Sequence, residues 1–243
     1  MARFTILLFL LLPFTLVGQD ESLPLEYSIR GLYHPGDLRE VKSLRIREAW
    51  LKRGKVESRT FIADFEIDSL GRSVSGYFEN NYGRGYQDIK HVSWEYDVDG
   101  YFWKASVNGN AEAIAAKRVI REDYVEDTLF YQSGLVAVFR FYENRRKTEV
   151  KYALQFDLLD KPYSSGVIEY NDQGILEKIT QDGESRWIQE KNGALILRGK
   201  EDEFWEWHLK LNERGWPEEL VRFDTYRRKP KATSRTTFTY TWR

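Results

Sequence analysis

The 243 residues contain no cysteine, so no disulfide, thiolate nucleophile, iron–sulfur cluster, cysteine-zinc site or lipid attached through sulfur can be built. Histidine is scarce as well. His34, His91 and His208 are far apart and form no i, i+4 pair, so they read as isolated strand or surface histidines rather than zinc ligands. Net charge is also lacking: 37 Lys and Arg against 38 Asp and Glu leave −1 at pH 7. That is too small a field to draw in nucleic acid or an anionic membrane over distance. Beyond residue 40 no stretch rich in Pro, Gly or Ser divides the chain, and no apolar run after residue 17 approaches the roughly 20 residues a spanning helix needs.

What is present begins with an export signal. Arg3 precedes an apolar run from Phe4 to Val17, followed by Gly18, Gln19, Asp20 and Glu21. The run is shorter than a membrane span and ends in small and polar residues, so residues 1–19 read as a cleaved signal peptide, with an uncleaved anchor as the competing reading. The exported chain then starts near Gln19 or Asp20 and is periplasmic or extracellular. It is soluble, not a lipoprotein and not membrane-spanning after cleavage. Residues 20–40, with Pro24, Pro35 and Gly36, read as an extended lead-in, and 41–243 as a single domain.

Aromatic residues are plentiful, with 14 Phe, 15 Tyr and 8 Trp, and they fall in alternation. Phe61, Ala63, Phe65 and Ile67 alternate with polar positions, as do Val92, Trp94 and Tyr96. The pattern returns in Val150, Tyr152, Leu154 and Phe156, in Trp205, Trp207, Leu209 and Leu211, and in Phe238, Tyr240 and Trp242 between threonines. Period two with one apolar face marks antiparallel sheet covered on one side. The expected fold is all-β: an antiparallel meander of serial β-hairpins, about a dozen strands, twisted, as an open or partly closed barrel. Ala111 to Arg121, rich in helix formers after Asn108-Gly109-Asn110, reads as a short helix or an irregular insertion.

Between the strands a signature recurs: an apolar residue, Asp or Asn, two variable residues, then Gly or Asp. It stands at Ile67–Gly71, Tyr96–Gly100, Phe156–Asp160, Tyr170–Gly174 and Leu211–Gly215, with looser copies at Tyr131–Gly134 and Ile188–Gly193. Asp or Asn bonds backbone two residues on and Gly supplies positive φ, which is hairpin chemistry. Tyr96-Asp97 to Gly100, with Phe156-Asp157, Tyr170-Asn171 and Phe238-Tyr240-Trp242, resembles the bacterial secreted YD-repeat, or RHS-like, family over about residues 61–243. The resemblance implies a building style of hairpins in series; it implies no catalytic residues, and the copies here are unevenly spaced.

Catalytic and metal motifs are not found, and no cofactor is expected. Asp97-Val98-Asp99-Gly100 opens like a calcium loop, but the twelfth position is Asn108 rather than an acid. Gly83-Arg84-Gly85 lacks the third glycine of a dinucleotide fingerprint. Trp94, Trp103, Trp205, Trp207 and Trp242 fall mostly on the alternating face and read as core, although a face so crowded could equally be a stacking platform for sugar rings or a lined cavity for acyl chains, with Trp205 and Trp207 as binding candidates. Phe102, Tyr142 and Phe223 fall opposite the apolar face and are the candidates for exposed contact. Arg145-Arg146-Lys147 and Arg227-Arg228-Lys229 with Lys231 read as solvated hairpin tips, with contact to anionic polymer as the alternative. The function expected is a non-enzymatic binding or scaffold protein of the bacterial cell envelope, its partner a glycan or another envelope protein. The alternatives are a carrier of lipid or another apolar ligand and a glycan-active hydrolase.

Overall fold

The computed structural model describes residues 38–243 except 53–54, 84, 110–114, 132–133, 143–146, 154–161, 163, 172–175, 192–193, 199–204 and 226–229. The signal peptide at 1–19 and the lead-in to residue 37 lie outside the described residues, and Leu38–Glu40 form a single 3-10 turn. The described residues then form sixteen strands: β1 (Val41–Lys52), β2 (Lys55–Ile67), β3 (Ser73–Gly83), β4 (Tyr86–Tyr96), β5 (Phe102–Val107), β6 (Ala115–Ile120), β7 (Tyr124–Phe130) and β8 (Val136–Tyr142) in the first half. The second half contains β9 (Lys147–Ala153), β10 (Ser164–Tyr170), β11 (Leu176–Gln181), β12 (Glu184–Lys191), β13 (Ala194–Arg198), β14 (Trp205–Leu211), β15 (Pro217–Asp224) and β16 (Lys231–Trp242). The all-β antiparallel meander is present, with more strands than the dozen expected. Of the short helix or irregular insertion expected at 111–121, residues 111–114 lie outside the described residues and 115–120 are strand β6 rather than helix, its register fixed by Arg118 opposite Asp127 and Ala116 opposite Leu129 on β7.

Each strand except β5 pairs with the next in sequence, and β1 also pairs with β16, Leu44 opposite Tyr240 and Ile46 opposite Phe238. The two edges of this sheet are β5 and β6, consecutive in the chain yet at opposite ends of the ladder order. The Arg118 guanidinium nevertheless lies over the Tyr101 ring, 4.1 Å from its centroid, so the sheet rolls until its edges meet. Among the described residues no backbone ladder joins β5 to β6, and the roll is not a closed barrel.

The inner face holds the core. Leu44 and Ile46 on β1, Phe61, Ala63, Phe65 and Ile67 on β2, and Val92 and Trp94 on β4 are buried, as the alternation required. Phe65 stacks on Trp94 at 5.9 Å between centroids, and Phe78 meets both rings edge-on. Phe139, Val150 and Tyr152 from β8 and β9 and Trp207, Leu209, Leu220 and Phe238 from β14 to β16 join the same contiguous cluster. Burial this complete in mid-wall requires a layer packed over it, so the interior is filled with side chains rather than water.

Much of the outer face is charged, although Val136, Val138, Ile196 and Val221 on it are buried. Arg45 Nε and Nη2 donate to Asp64 at 2.6 and 2.8 Å, and Lys104–Glu95 and Lys178–Glu169 pair across neighbouring strands at 3.2 and 2.9 Å. Trp103, read as core, is exposed on the bulged start of β5, where the register slips between Glu95 and Tyr96.

The repeated turns share one chemistry. In Asp68–Gly71, Asp97–Gly100 and Asn212–Gly215 the glycine N–H donates to the carbonyl of the Asp or Asn, and that residue's Oδ1 accepts from backbone N–H groups two and four residues on. The three glycines have φ of 80, 82 and 76°, which a Cβ would strain. The Asp97 carboxylate is thereby engaged with Asp99 and Tyr101 N–H groups, a turn rather than a calcium loop. The copies at Phe156–Asp160, Tyr170–Gly174 and Ile188–Gly193 fall wholly or partly outside the described residues, as do the tips containing Arg145-Arg146 and Arg227-Arg228-Lys229.

Candidate functional site

The strict alternation gives the sheet two ends. The proximal end, where β1 begins, carries the three Asp and Asn turns; the distal end, where β1 finishes, carries the β1–β2, β3–β4 and β15–β16 connections. Along the inner face of the wall formed by β15, β16 and β1 to β4, side chains change from apolar to polar toward the distal end. On β1 Ile46 gives way to Glu48 and Trp50; on β3 Phe78 gives way to Asn80 and Tyr82. On β4 Val92 gives way to Lys90, Asp88 and Tyr86, on β15 Leu220 to Arg222, and on β16 Phe238 to Thr236 and Ser234. The ladders bring these series into one patch: Glu48 opposite Thr236, Trp50 opposite Ser234, Ser234 opposite Arg222, and Asn80 opposite Asp88.

Depth and charge distinguish this patch from a solvated strand end. Glu48 is 4 % exposed, and Asn80, Ser234 and Thr236 are also buried. Burial pushes the Arg222 guanidinium below its ordinary pKa, and the nearby Glu48 charge offsets part of that push. Arg222 Nε also donates to Thr233 Oγ1 at 3.1 Å, and Thr233 is the extra residue where the β15–β16 register slips. Asp88 and Lys90 pair at 3.7 Å on the same face. At the rim, Tyr82 and Tyr86 are 52 % and 67 % exposed, and their rings sit 5.4 Å apart at a tilt of 45°. The patch is therefore a mouth with an aromatic rim and a buried polar floor that holds charges of both signs.

The candidates from sequence are dispersed. Phe102, expected to be exposed, is 4 % exposed and belongs to the core against Tyr96, because the bulge that turns Trp103 outward turns Phe102 in. Tyr142 lies on the outer face, paired with Tyr124 at 5.3 Å; Lys147 covers its ring at 4.6 Å and Arg140 covers Tyr124. Around them Arg140 pairs with Glu126 at 2.7 Å, and Lys147 with Glu149 at 2.6 Å. Burial alone would raise the Glu149 carboxyl, but Lys147, Tyr142 and Arg140 together outweigh it and hold the group below the ordinary range. Phe223 packs on His208, ring centroids 4.5 Å apart, on the face opposite Trp207. Trp207 is buried, opposite Arg222, and adjoins the mouth from β14. Trp205 opens β14 opposite Asp224, its side chain outside the described residues. Of the five, only Trp207 is placed by its side chain beside the mouth.

Glu48, Arg222 and the Tyr82–Tyr86 pair were missed because polar residues at inner positions look like faults in the alternation. The signal was there: in Leu44, Ile46, Glu48, Trp50 and in Phe78, Asn80, Tyr82 the period continues while the polarity changes. Among the described residues no group of three or more His, Asp or Glu could hold a metal ion.

No protein-family model matches the chain, and no curated protein matches it at significant similarity. Its fold is shared with solved structures, including the crystal structure of a porin-like protein from Bacteroides uniformis ATCC 8492. That structure superposes with a TM-score of 0.52 at 14 % identity, over 84 % of this chain and 98 % of that one. The likeness is one of fold, and no helix among the described residues is long and apolar enough to cross a membrane.

Proposed function

We propose that this chain is an exported, non-enzymatic binding protein of the bacterial cell envelope that takes its ligand at the distal mouth. The observation that carries this reading is the aromatic rim of Tyr82 and Tyr86 above the buried polar floor of Glu48, Asn80, Ser234, Thr236 and Arg222. Pockets that bind small molecules combine aromatic walls with a few placed polar groups in this way. The packed core speaks against the lipid carrier, which needs an apolar cavity instead. The hydrolase reading loses support at the same place: Glu48 on β1 and Asp88 on β4 lie three strand spacings apart, about 14 Å along the sheet. Paired acids of glycosidases stand about 5 to 9.5 Å apart.

Export rests on the segment 1–19 and remains part of the proposal, as does kinship in building style with YD-repeat proteins, which the shared bonding of the Asp68, Asp97 and Asn212 turns supports. The charged outer face supports a soluble chain: transmembrane barrels carry an apolar band outside and a polar lumen, the reverse of what is found here.

The test is a fluorescence titration of the purified protein, read through Trp50 and Trp207, with envelope polysaccharides and separately with fatty acids and phospholipids. A saturable change with a polysaccharide and none with acyl chains is expected. A blue shift with acyl chains alone would overturn the reading in favour of the carrier.

A further inference from the structure

Resting on the mouth as the binding site, we infer that its ligand is an acidic oligosaccharide, stacked on the Tyr82–Tyr86 pair with a ring carboxylate directed to Arg59. Charge at this end of the sheet is uneven. Lys90 is matched by Asp88 at 3.7 Å, Arg222 by the Glu48 charge, and Lys231 stands opposite Asp224. Lys55 and Arg59 on β2 have no such match: both are exposed, and neither forms an ion pair with a described residue. Lys52 stands directly opposite Lys55 at the distal end of the β1–β2 ladder, with Glu57 approaching it to 4.0 Å. Like charges facing each other across a ladder cost stability, and a bound anion relieves that cost.

The connections around the mouth tilt the balance further. Residues 53–54, 84–85 and 225–230, which join β1 to β2, β3 to β4 and β15 to β16, contribute Arg53, Arg84, Arg227, Arg228 and Lys229 to the chain and no acid. The proximal turns at 68–72, 97–101 and 212–216 hold four acids against Arg72 and Arg214, which are themselves paired with Asp68 and Glu40. Positive charge is thus gathered at one end of a chain whose net charge is −1, and it draws anions to that end. The rim then selects the kind of anion. Arg59 stands opposite Tyr82, which is exposed and tilted against Tyr86. Cross-strand neighbours on one face are about 5 Å apart. One sugar can therefore lay its C–H face on the Tyr82 ring and offer its carboxylate to the guanidinium, whose two parallel N–H groups match it. In the envelope compartment proposed above, acidic glycans carry their anions on such rings. An acidic peptide cannot add here as a strand, because β16 and β1 to β4 are each hydrogen-bonded on both sides.

The experiment is isothermal titration calorimetry of the full protein with hexamers of galacturonate and of mannuronate, each beside its fully methyl-esterified form, at low and high salt. Within each pair the rings are the same and only the charge differs. Phosphatidylglycerol vesicles serve as a second source of anions. Saturable binding of an acidic hexamer is expected, weakening as salt rises, with its methyl ester about tenfold weaker or worse. Arg59→Gln should weaken binding of the acid about tenfold, the scale of one charge-assisted hydrogen bond, and flatten its salt dependence. Tyr82→Ala should weaken it at both salt concentrations and leave the salt dependence as it is. Lys42→Gln, which removes an exposed cation at the proximal end of β1, should leave binding unchanged. Circular dichroism of each variant should match the wild type, since Lys42, Arg59 and Tyr82 are all exposed. Equal binding of a hexamer and its methyl ester, lost in Tyr82→Ala, would overturn the ligand class while leaving the mouth as the site. Acid-selective binding indifferent to Arg59→Gln would overturn the role given to that residue, and binding indifferent to Tyr82→Ala as well would overturn the site. No binding of either acidic hexamer, or binding of the vesicles alone, would overturn the inference.

Discussion

Single residues decide the two tightest places in this sheet. A Cβ on Gly76 would stand 2.6 Å from the Trp94 ring and 2.8 Å from Phe78, both buried, so nothing flexible can yield. Gly76→Ala is expected to cost about 1–3 kcal/mol, as overpacked cores do, seen as a lower urea midpoint with an unchanged slope. At the first Asp turn, burial alone would raise the Asp68 carboxyl; bonds from the Arg72 backbone N–H and guanidinium and from Leu70 N–H outweigh it and hold the pKa below its ordinary value. A carboxyl lowered on folding adds stability that is fully present above its unfolded pKa of about 4 and is lost as pH falls through the folded pKa. Asp68→Asn should therefore be less stable than the wild type at pH 7, and the gap should close below about pH 4 in thermal melts followed across pH. The turn signature showed these residues in the sequence, because Asp or Asn with a following Gly has a local bonding logic. Gly76 has none, and only the assembled neighbours reveal why it cannot grow.

Whole strands show where local pattern gives out. β2, β4 and β16 were legible because their inner positions are uniformly apolar or aromatic. β6 was not: its inner face reads Ala116, Arg118, Ile120, and an arginine among helix formers hides period two. Its placement is tertiary. Arg118 makes a bidentate pair with Asp127, which is only 2 % exposed, while its guanidinium stacks on Tyr101 across the seam. That contact joins the two edge strands, which would otherwise be exposed to pairing with other chains. Arg118→Ala strands a buried carboxylate and should destabilise by about 3–5 kcal/mol. The double replacement Arg118→Met, Asp127→Leu should recover most of that loss, and a double-mutant cycle by chemical denaturation checks it. Near equality of the single and double variants would show that the pair is not what holds β6.

At the scale of the molecule, the sequence carried the class of fold and the direction of its apolar face, but neither the roll of the sheet nor the mouth. The roll depends on β1 meeting β16 and on β5 nearing β6, both long-range events with no local signature. The mouth depends on six strands ending their inner faces in polar residues at the same level, so no one strand contains it. Tyr142 and Phe223 are aromatics at outward positions, yet their rings are engaged by Tyr124 and Lys147 and by His208. Residues that break it inward, Glu48 and Arg222, were the informative ones. The porin-like neighbour shares the fold alone, and in this chain the contiguous apolar core lies inside the roll. The central claim is that the distal inner face binds the ligand, and hydrogen–deuterium exchange with and without a saturating envelope polysaccharide tests it most directly. Added protection is expected only in peptides covering residues 46–52, 78–90, 220–224 and 231–236. Protection centred instead on the outer face around Tyr124 to Lys147, or at the β5–β6 seam, would contradict it.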